Sequence, residues 1–395
     1  MLHALNLESV SKIKAFIKNK DYQLVSLYLT NTNVDLAVNV LDEVLKSKLA
    51  SGLSLAGASV ALSVAAKAGY DVKFLLDDVT AKDVFADVKT VVKVVKTLIN
   101  DVKVVDLYNN NWNGDIPSES IVIDILDNLF TLNILKGKEG RLLDFAVNKF
   151  MPKNSYLVAS DFDFLTDFNF DKNFDAIKET IGYVYDLLDE NNLLLIQDVK
   201  SFFKKQWYKD SSFVTENNVL LISNIISTLS DSSIATQAVA GVVRNAVKLD
   251  SVKKFGDYTV LTAFTEENAT NDLGVISTII NMAVEAGAIE LYNTKNIENI
   301  NFDLISETVD KLSNLQTLYL YGSHIVPEAL NYVFANVVKG FTSKKFTYSD
   351  FESTDWQIEA HVLSSVVENV GTLFDRMNFK SVNDVKAFVK DGDYK

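Results

Sequence analysis

Residues 5–22 read LNLESVSKIKAFIKNKDY and residues 377–394 read MNFKSVNDVKAFVKDGDY. Ser9, Val10, Lys14, Ala15, Phe16, Asp21 and Tyr22 recur as Ser381, Val382, Lys386, Ala387, Phe388, Asp393 and Tyr394, at a constant offset of 372. Halfway along, Asp198-Val199-Lys200-Ser201-Phe202 matches Asp384-Val385-Lys386-Ala387-Phe388 at 186, half of that offset. A second variant lies between these copies. Asp106-Leu107-Tyr108-Asn109 matches Glu290-Leu291-Tyr292-Asn293 at 184, and Asp127, Leu129, Leu132 and Leu135 match Asp310, Leu312, Leu315 and Leu318 at 183. The simplest unit is therefore about 93 residues long, with alternate units more alike. Self-similarity at a fixed period is the mark of a repeat architecture.

Periodicity sets the fold class. Leu273, Ile276, Ile279, Ile280, Ala283 and Val284 make the i, i+3, i+4, i+7 stripe of an amphipathic helix. Val88, Val91, Val92, Val95 and Leu98 repeat it, as do Ile177, Ile181, Val184, Leu187 and Leu188. The valines of residues 91–95 favour strands intrinsically, but spacing of three to four over more than ten residues selects helix. Polar N-cap candidates predict helix starts near Thr80, Asn173, Thr270 and Asp355, with Asp83 and Gln357 in capping-box position. Within a unit, residues 199–204, 219–229 and 234–247 read as three further helices. The expected fold is all-α: tandem repeats of three to four helices, stacked as a solenoid or strung as beads. Its expected divisions are residues 1–79 (a repeat lacking its first helix), 80–172, 173–269, 270–354, and 355–395 (the start of another). Met1–Leu5 aligns with Leu373–Met377, inside a unit. The expectation is a piece of a longer array, or a protomer whose ends complete one another head to tail.

Composition narrows the function. The 395 residues carry a net charge of −14 and a pI near 4.8, which disfavours phosphate backbones and anionic membranes. Lys12, Lys14, Lys18 and Lys20 alternate with Ile13, Phe16 and Ile17, as on the wet side of an amphipathic helix. Only three prolines and fifteen glycines occur, few for a turn-rich β protein. The absence of cysteine excludes disulfides and thiolate chemistry, and suits a reducing cytosol or a thiol-free bacterial surface. Leu49–Ala66 is uncharged, but barely reaches the roughly 18 residues of a membrane span and aligns with an ordinary helix of another unit. No transmembrane segment is expected.

Chemistry-bearing patterns are sparse. His3, His324 and His361 fall in different units without zinc-ligand spacing. Asp161, Asp163 and Asp167 form an acidic run that offers oxygen ligands to Ca²⁺, but an EF-hand starting at Asp161 would need Gly and Glu where Thr166 and Lys172 stand. The preferred reading is an inter-repeat junction whose Phe168, Phe170 and Phe174 pack while the aspartates face water; Phe351 and Trp356 hold the equivalent place in the last unit. Trp112, in the turn-like NNNWNGD, and Trp207 are candidate binding aromatics, though a packing anchor is the commoner role. No nucleophile elbow, Walker or dinucleotide loop occurs, so no catalytic residue and no cofactor is expected.

In its repetition and its lysine-, asparagine- and isoleucine-rich composition the chain resembles the repeat regions of large surface proteins of low-GC Gram-positive bacteria and their wall-less relatives. That resemblance implies display at the cell surface, adhesion or filament formation. The expected partners are proteins: further copies of the chain in a fibre, or a host or cell-surface protein, with no nucleic acid. The alternative is a cytoplasmic scaffold that docks partner proteins or peptides.

Overall fold

The computed structural model describes residues 9–19, 30–46, 72–138, 170–246, 263–336 and 345–391, with isolated positions between 56 and 66 and at 141 and 145. Among them every regular element is helical, and two isolated β-bridges replace any sheet. The chain divides into two compact units, one of residues 1–146 and 192–205, the other of 147–191 and 206–395.

The first unit holds α1 (Val10–Asn19), α2 (Asn31–Leu45), α3 (Ala81–Asn100), α4 (Val104–Asn109), α5 (Glu119–Phe130) and α7 (Ile196–Lys205). The valine run lies inside α3, as its spacing predicts. Thr80 and Asp83 close a reciprocal capping box at its start, which satisfies backbone donors a helix cannot pair internally. α3 packs against α2 on one side and α5 on the other. Val38, Val92 and Ile99 form the α2–α3 core, and Lys96 reaches Asp42 at 2.8 Å along its rim. Burial of each such side chain is worth about 1.5–3 kcal/mol, so this core outweighs the exposed ion pair, which is worth about 1 kcal/mol or less. The loop after α4 pairs with the residues before α7: Ile116 N–H donates to Leu194 at 2.8 Å, and Ile196 N–H to Gly114 at 3.0 Å.

The second unit holds α6 (Phe170–Glu190), α8 (Glu216–Ser230), α9 (Ser233–Ala246), α10 (Glu266–Glu285), α11 (Ala288–Thr294), α12 (Phe302–Lys311), α13 (Gln316–Asn336), α14 (Trp356–Arg376) and α15 (Val382–Asp391). α6, α8, α10, α12 and α14 form one row, each packed on the next. α9 and α13 both lie against α10, where Ala240, Phe264, Ala269 and Tyr321 make a core cluster. A second loop pairing recurs before α15, with Ile300 N–H donating to Lys380 and Val382 N–H to Ile297.

The helices expected over 199–204, 219–229 and 234–247 are α7, α8 and α9, each matching to within a few residues. Two starts differ from expectation. The helix expected near Thr270 begins at Glu266, because Thr265 and Asn268 form the capping box. The one expected near Asn173 begins at Phe170, because Asn173 is buried and caps a different helix, as shown below. Of the uncharged segment 49–66, only Ala56, Ala58, Ser59, Leu62, Ser63 and Ala66 are described, all helical. Among the described residues no single helix is long and apolar enough to cross a membrane; two bent pairs reach that length and composition only jointly.

Candidate functional site

Three kinds of contact recur where helices meet. The first lies at the crossings. Ser223 on α8 faces Ser277 on α10, both buried, with the hydroxyls 2.9 Å apart and each donating to the other's backbone carbonyl at 3.0 and 3.1 Å. Ser306 on α12 faces Ser364 on α14 in the same way, hydroxyls 2.7 Å apart, with Ser306 donating to the Ser364 carbonyl at 3.0 Å. A small side chain lets two helices approach closely, and the cross-helix bonds satisfy hydroxyls that would otherwise be buried unpaired. At the α2–α3 crossing the corresponding place holds Val38 and Val92.

The second contact is a buried cap. Asp87, in the interior of α3, accepts the backbone N–H groups of Asn133 at 2.8 Å and Ile134 at 2.7 Å. Asp272, likewise inside α10, accepts those of Gln316 at 2.7 Å and Thr317 at 2.8 Å, at the start of α13. Asn173 on α6 does this for α9 through its amide oxygen, which accepts from Ser232, Ser233 and the Ile234 N–H. A carboxylate at a helix N-terminus meets both the unpaired amides and the positive end of the helix dipole.

The third contact is aromatic. Phe302 on α12 stacks edge-on to Phe374 on α14 at 4.8 Å, Phe374 to Phe379 at 5.6 Å, and Phe379 to Phe388 on α15 at 5.2 Å. Gly371 makes room for this row, since a Cβ there would lie 2.6 Å from Phe302.

Of the residues singled out from the sequence, the structure brings Phe351 and Trp356 together at 5.6 Å, with Phe346 beyond at 6.0 Å. Trp356 is buried; its indole donates to Ser323 at 3.0 Å, and Ser323 donates to the Phe351 carbonyl at 2.6 Å. Phe174 is buried on α6 beneath the Lys178 ammonium, 4.1 Å from its ring centre. Phe170 opens α6. Asp161, Asp163, Asp167 and Phe168 lie outside the described residues, as does His3. Trp112 is 50% exposed in a left-handed turn (φ 58°), and Trp207, 39% exposed, opens a short 3-10 turn. Asn113 and Gly114 lie in that same turn region, as NNNWNGD suggests.

A polar groove runs between α12 and α14, lined by Asp303, Ser306, Asp310, His361, Ser364 and Glu368. His361 Nδ1 pairs with Asp310 Oδ1, and the Ser306 and Ser364 hydroxyls hold the crossing beneath. No group of three or more His, Asp or Glu placed to hold a metal ion occurs among the described residues.

Beside this groove α14 carries an apolar row open to solvent: Ile358, Val362, Val366, Val370, Leu373 and Met377, with Ile358, Val366 and Leu373 at 57, 50 and 52% exposure. Steps of three and four place them on one helix face. Isolated apolar residues on a surface are ordinary, whereas this row runs along five turns of one helix.

No family model, no curated protein and no solved structure matches the chain.

Proposed function

We propose that the chain is a non-enzymatic structural or adhesive array of stacked helical units of about 93 residues, a segment of a longer surface or filament protein. The observation that carries this reading is the row α6–α8–α10–α12–α14, in which long helices of 20 or 21 residues alternate with shorter ones. α3 repeats the long helix at 20 residues, packed between α2 and α5. The long helices open at residues 81, 170, 266 and 356, close to the sequence period. The buried caps at Asp87 and Asp272 recur at an offset of 185, and the loop pairings before α7 and α15 recur at 183 and 186. Stacked units of this kind bury a continuous core and offer an extended repetitive surface, which suits spanning distance or multivalent attachment. Its partners are further copies of the chain, or a host or cell-surface protein, and its place is the cell surface.

A cytoplasmic scaffold that docks partner helices is the second reading, favoured by the open apolar row of α14. Electron microscopy of the protein purified from its natural source separates array from isolated domain. Extended particles with regularly spaced density are expected, and a compact particle with no further repeats would overturn the array.

A further inference from the structure

We infer that α1, α7 and α15 each present a docking site for an acidic, apolar-bearing segment of a partner protein. The site is two lysines one helical turn apart with an apolar side chain between them. The inference rests on the array reading for the recurrence of the site, and adds to it a surface and the chemistry of a partner.

The three helices each have 10 residues and begin 186 residues apart. Much of their sequence has drifted: Ser11, Gln197 and Asn383 correspond, as do Lys12, Asp198 and Asp384, and Asn19, Lys205 and Asp391. One triad keeps its character. Lys14, Ile17 and Lys18 recur as Lys200, Phe203 and Lys204, and again as Lys386, Val389 and Lys390. Spacing of i, i+3, i+4 puts each triad on one helix face. Packing accounts for the neighbouring Phe16, Phe202 and Phe388, since Phe202 is buried, but not for the next position, where Phe203 is 64% and Val389 58% exposed. All six lysines are exposed. α7 stands in mid-sequence and shows the same open face as α15.

The fold positions these lysines without cancelling their charge. Lys200 Nζ donates to the Trp112 carbonyl at 3.5 Å, and Lys386 Nζ to the Lys295 carbonyl at 2.8 Å. Among the described residues no carboxylate pairs with any of the six. Asp384, in the first turn of α15, is taken up by its own helix start, where it accepts the Lys380 and Ser381 N–H groups at 2.8 Å. On α15 the triad lines one open cleft with Phe374, Val382 and Val385.

Two ammonium groups flanking an apolar knob match carboxylates flanking an apolar side chain. Range decides how large that partner is. Exposed charges act over about 8 Å at physiological ionic strength, so a short segment feels the local lysines alone. An extended anionic surface, a bilayer or a phosphate backbone, also meets the rest of a chain of net charge −14 and is repelled. A peptide segment therefore fits, and repetition of the site makes its attachment multivalent.

The test titrates the full chain calorimetrically with a synthetic peptide in which glutamates flank leucine at helical spacing. Binding should weaken with salt and vanish for a sibling peptide carrying glutamine at every glutamate. Lys204→Glu or Phe203→Ser should each remove one binding equivalent per chain. Lys18→Glu, Lys204→Glu and Lys390→Glu together should remove all of them. Circular dichroism checks that the variants fold, and the glutamine peptide tests the role of charge on the wild-type chain, where folding is not at issue. Equal binding of the two peptides, or binding that the triple variant keeps, would overturn the inference. So would a chain that ignores the acidic peptide; its sedimentation with phosphatidylserine but not phosphatidylcholine vesicles would then assign the triads to a membrane surface. None of these outcomes touches the array reading, which the microscopy above tests separately.

Discussion

Ser223 and Ser277, 54 residues apart, each donate a hydroxyl hydrogen bond to the other's backbone carbonyl where α8 crosses α10. The pair sets how closely the two helices lie, so the volume of these side chains matters more than their polarity. Ser277→Ala keeps the close approach and removes one bond, a loss of about 1 kcal/mol. Ser277→Leu inserts extra atoms into a sealed crossing and should cost about 1–3 kcal/mol or more. Urea denaturation of both variants checks the order, and a leucine variant as stable as the alanine one would refute the close-packed crossing.

The buried carboxylates predict larger effects. Asp272, 4% exposed, is the acceptor for two backbone amides at the start of α13, and its removal leaves both without it inside the fold. Each buried donor left unpaired costs about 1–3 kcal/mol, so Asp272→Ala should destabilise by about 2–4 kcal/mol, and Asp87→Ala should act in the same direction in its own unit. Thermal unfolding followed by circular dichroism measures this. Asp272→Asn should be milder, because an amide oxygen still accepts.

The helices were legible because a 3.6-residue period is a local signal. Leu273 to Val284 announces α10, and Thr80 with Asp83 announces where α3 starts. The seams were less legible, for a physical reason. Ser223 and Ser277 look like ordinary polar helix residues until the helices are brought together, and nothing local encodes a partner 54 residues away. Asp87 and Asp272 left a usable sign, an aspartate recurring at an offset of 185 amid apolar helix positions. The aromatics divide in the same way. Phe351 and Trp356, five residues apart, were found together, whereas the row from Phe302 through Phe374 and Phe379 to Phe388 depends on three helices converging.

Trp356 gives a spectroscopic handle on the contact between α13 and α14. Its ring lies over Gly322 of α13 so closely that a Cβ there would fall 2.2 Å from the indole. In an open helix Gly→Ala gains about 1 kcal/mol; here the clash reverses the sign, and Gly322→Ala should destabilise by about 1–3 kcal/mol. Trp356 is buried while Trp112 and Trp207 are exposed, so the blue-shifted part of the tryptophan emission should move red in the variant. Unchanged emission with raised stability would contradict the contact.

Acid should loosen particular helix starts. The Thr80 hydroxyl and backbone N–H hydrogen-bond to Asp83 and hold its carboxyl below the ordinary value of 3.8. Asp384 is lowered likewise, first by the Lys380 N–H and then by the hydroxyl and N–H of Ser381. Because the folded value lies below the unfolded one, these caps contribute in full above about pH 4 and are lost as pH falls through the folded value. Both side chains are exposed to water, so the effect is local fraying rather than collapse. Amide protection factors at the first turn of α3 and of α15 should therefore fall below about pH 4. Asp83→Asn should abolish the acid step at α3 and leave the one at α15. A step at α3 that persists in Asp83→Asn would mean that acid acts on the whole fold rather than on the caps.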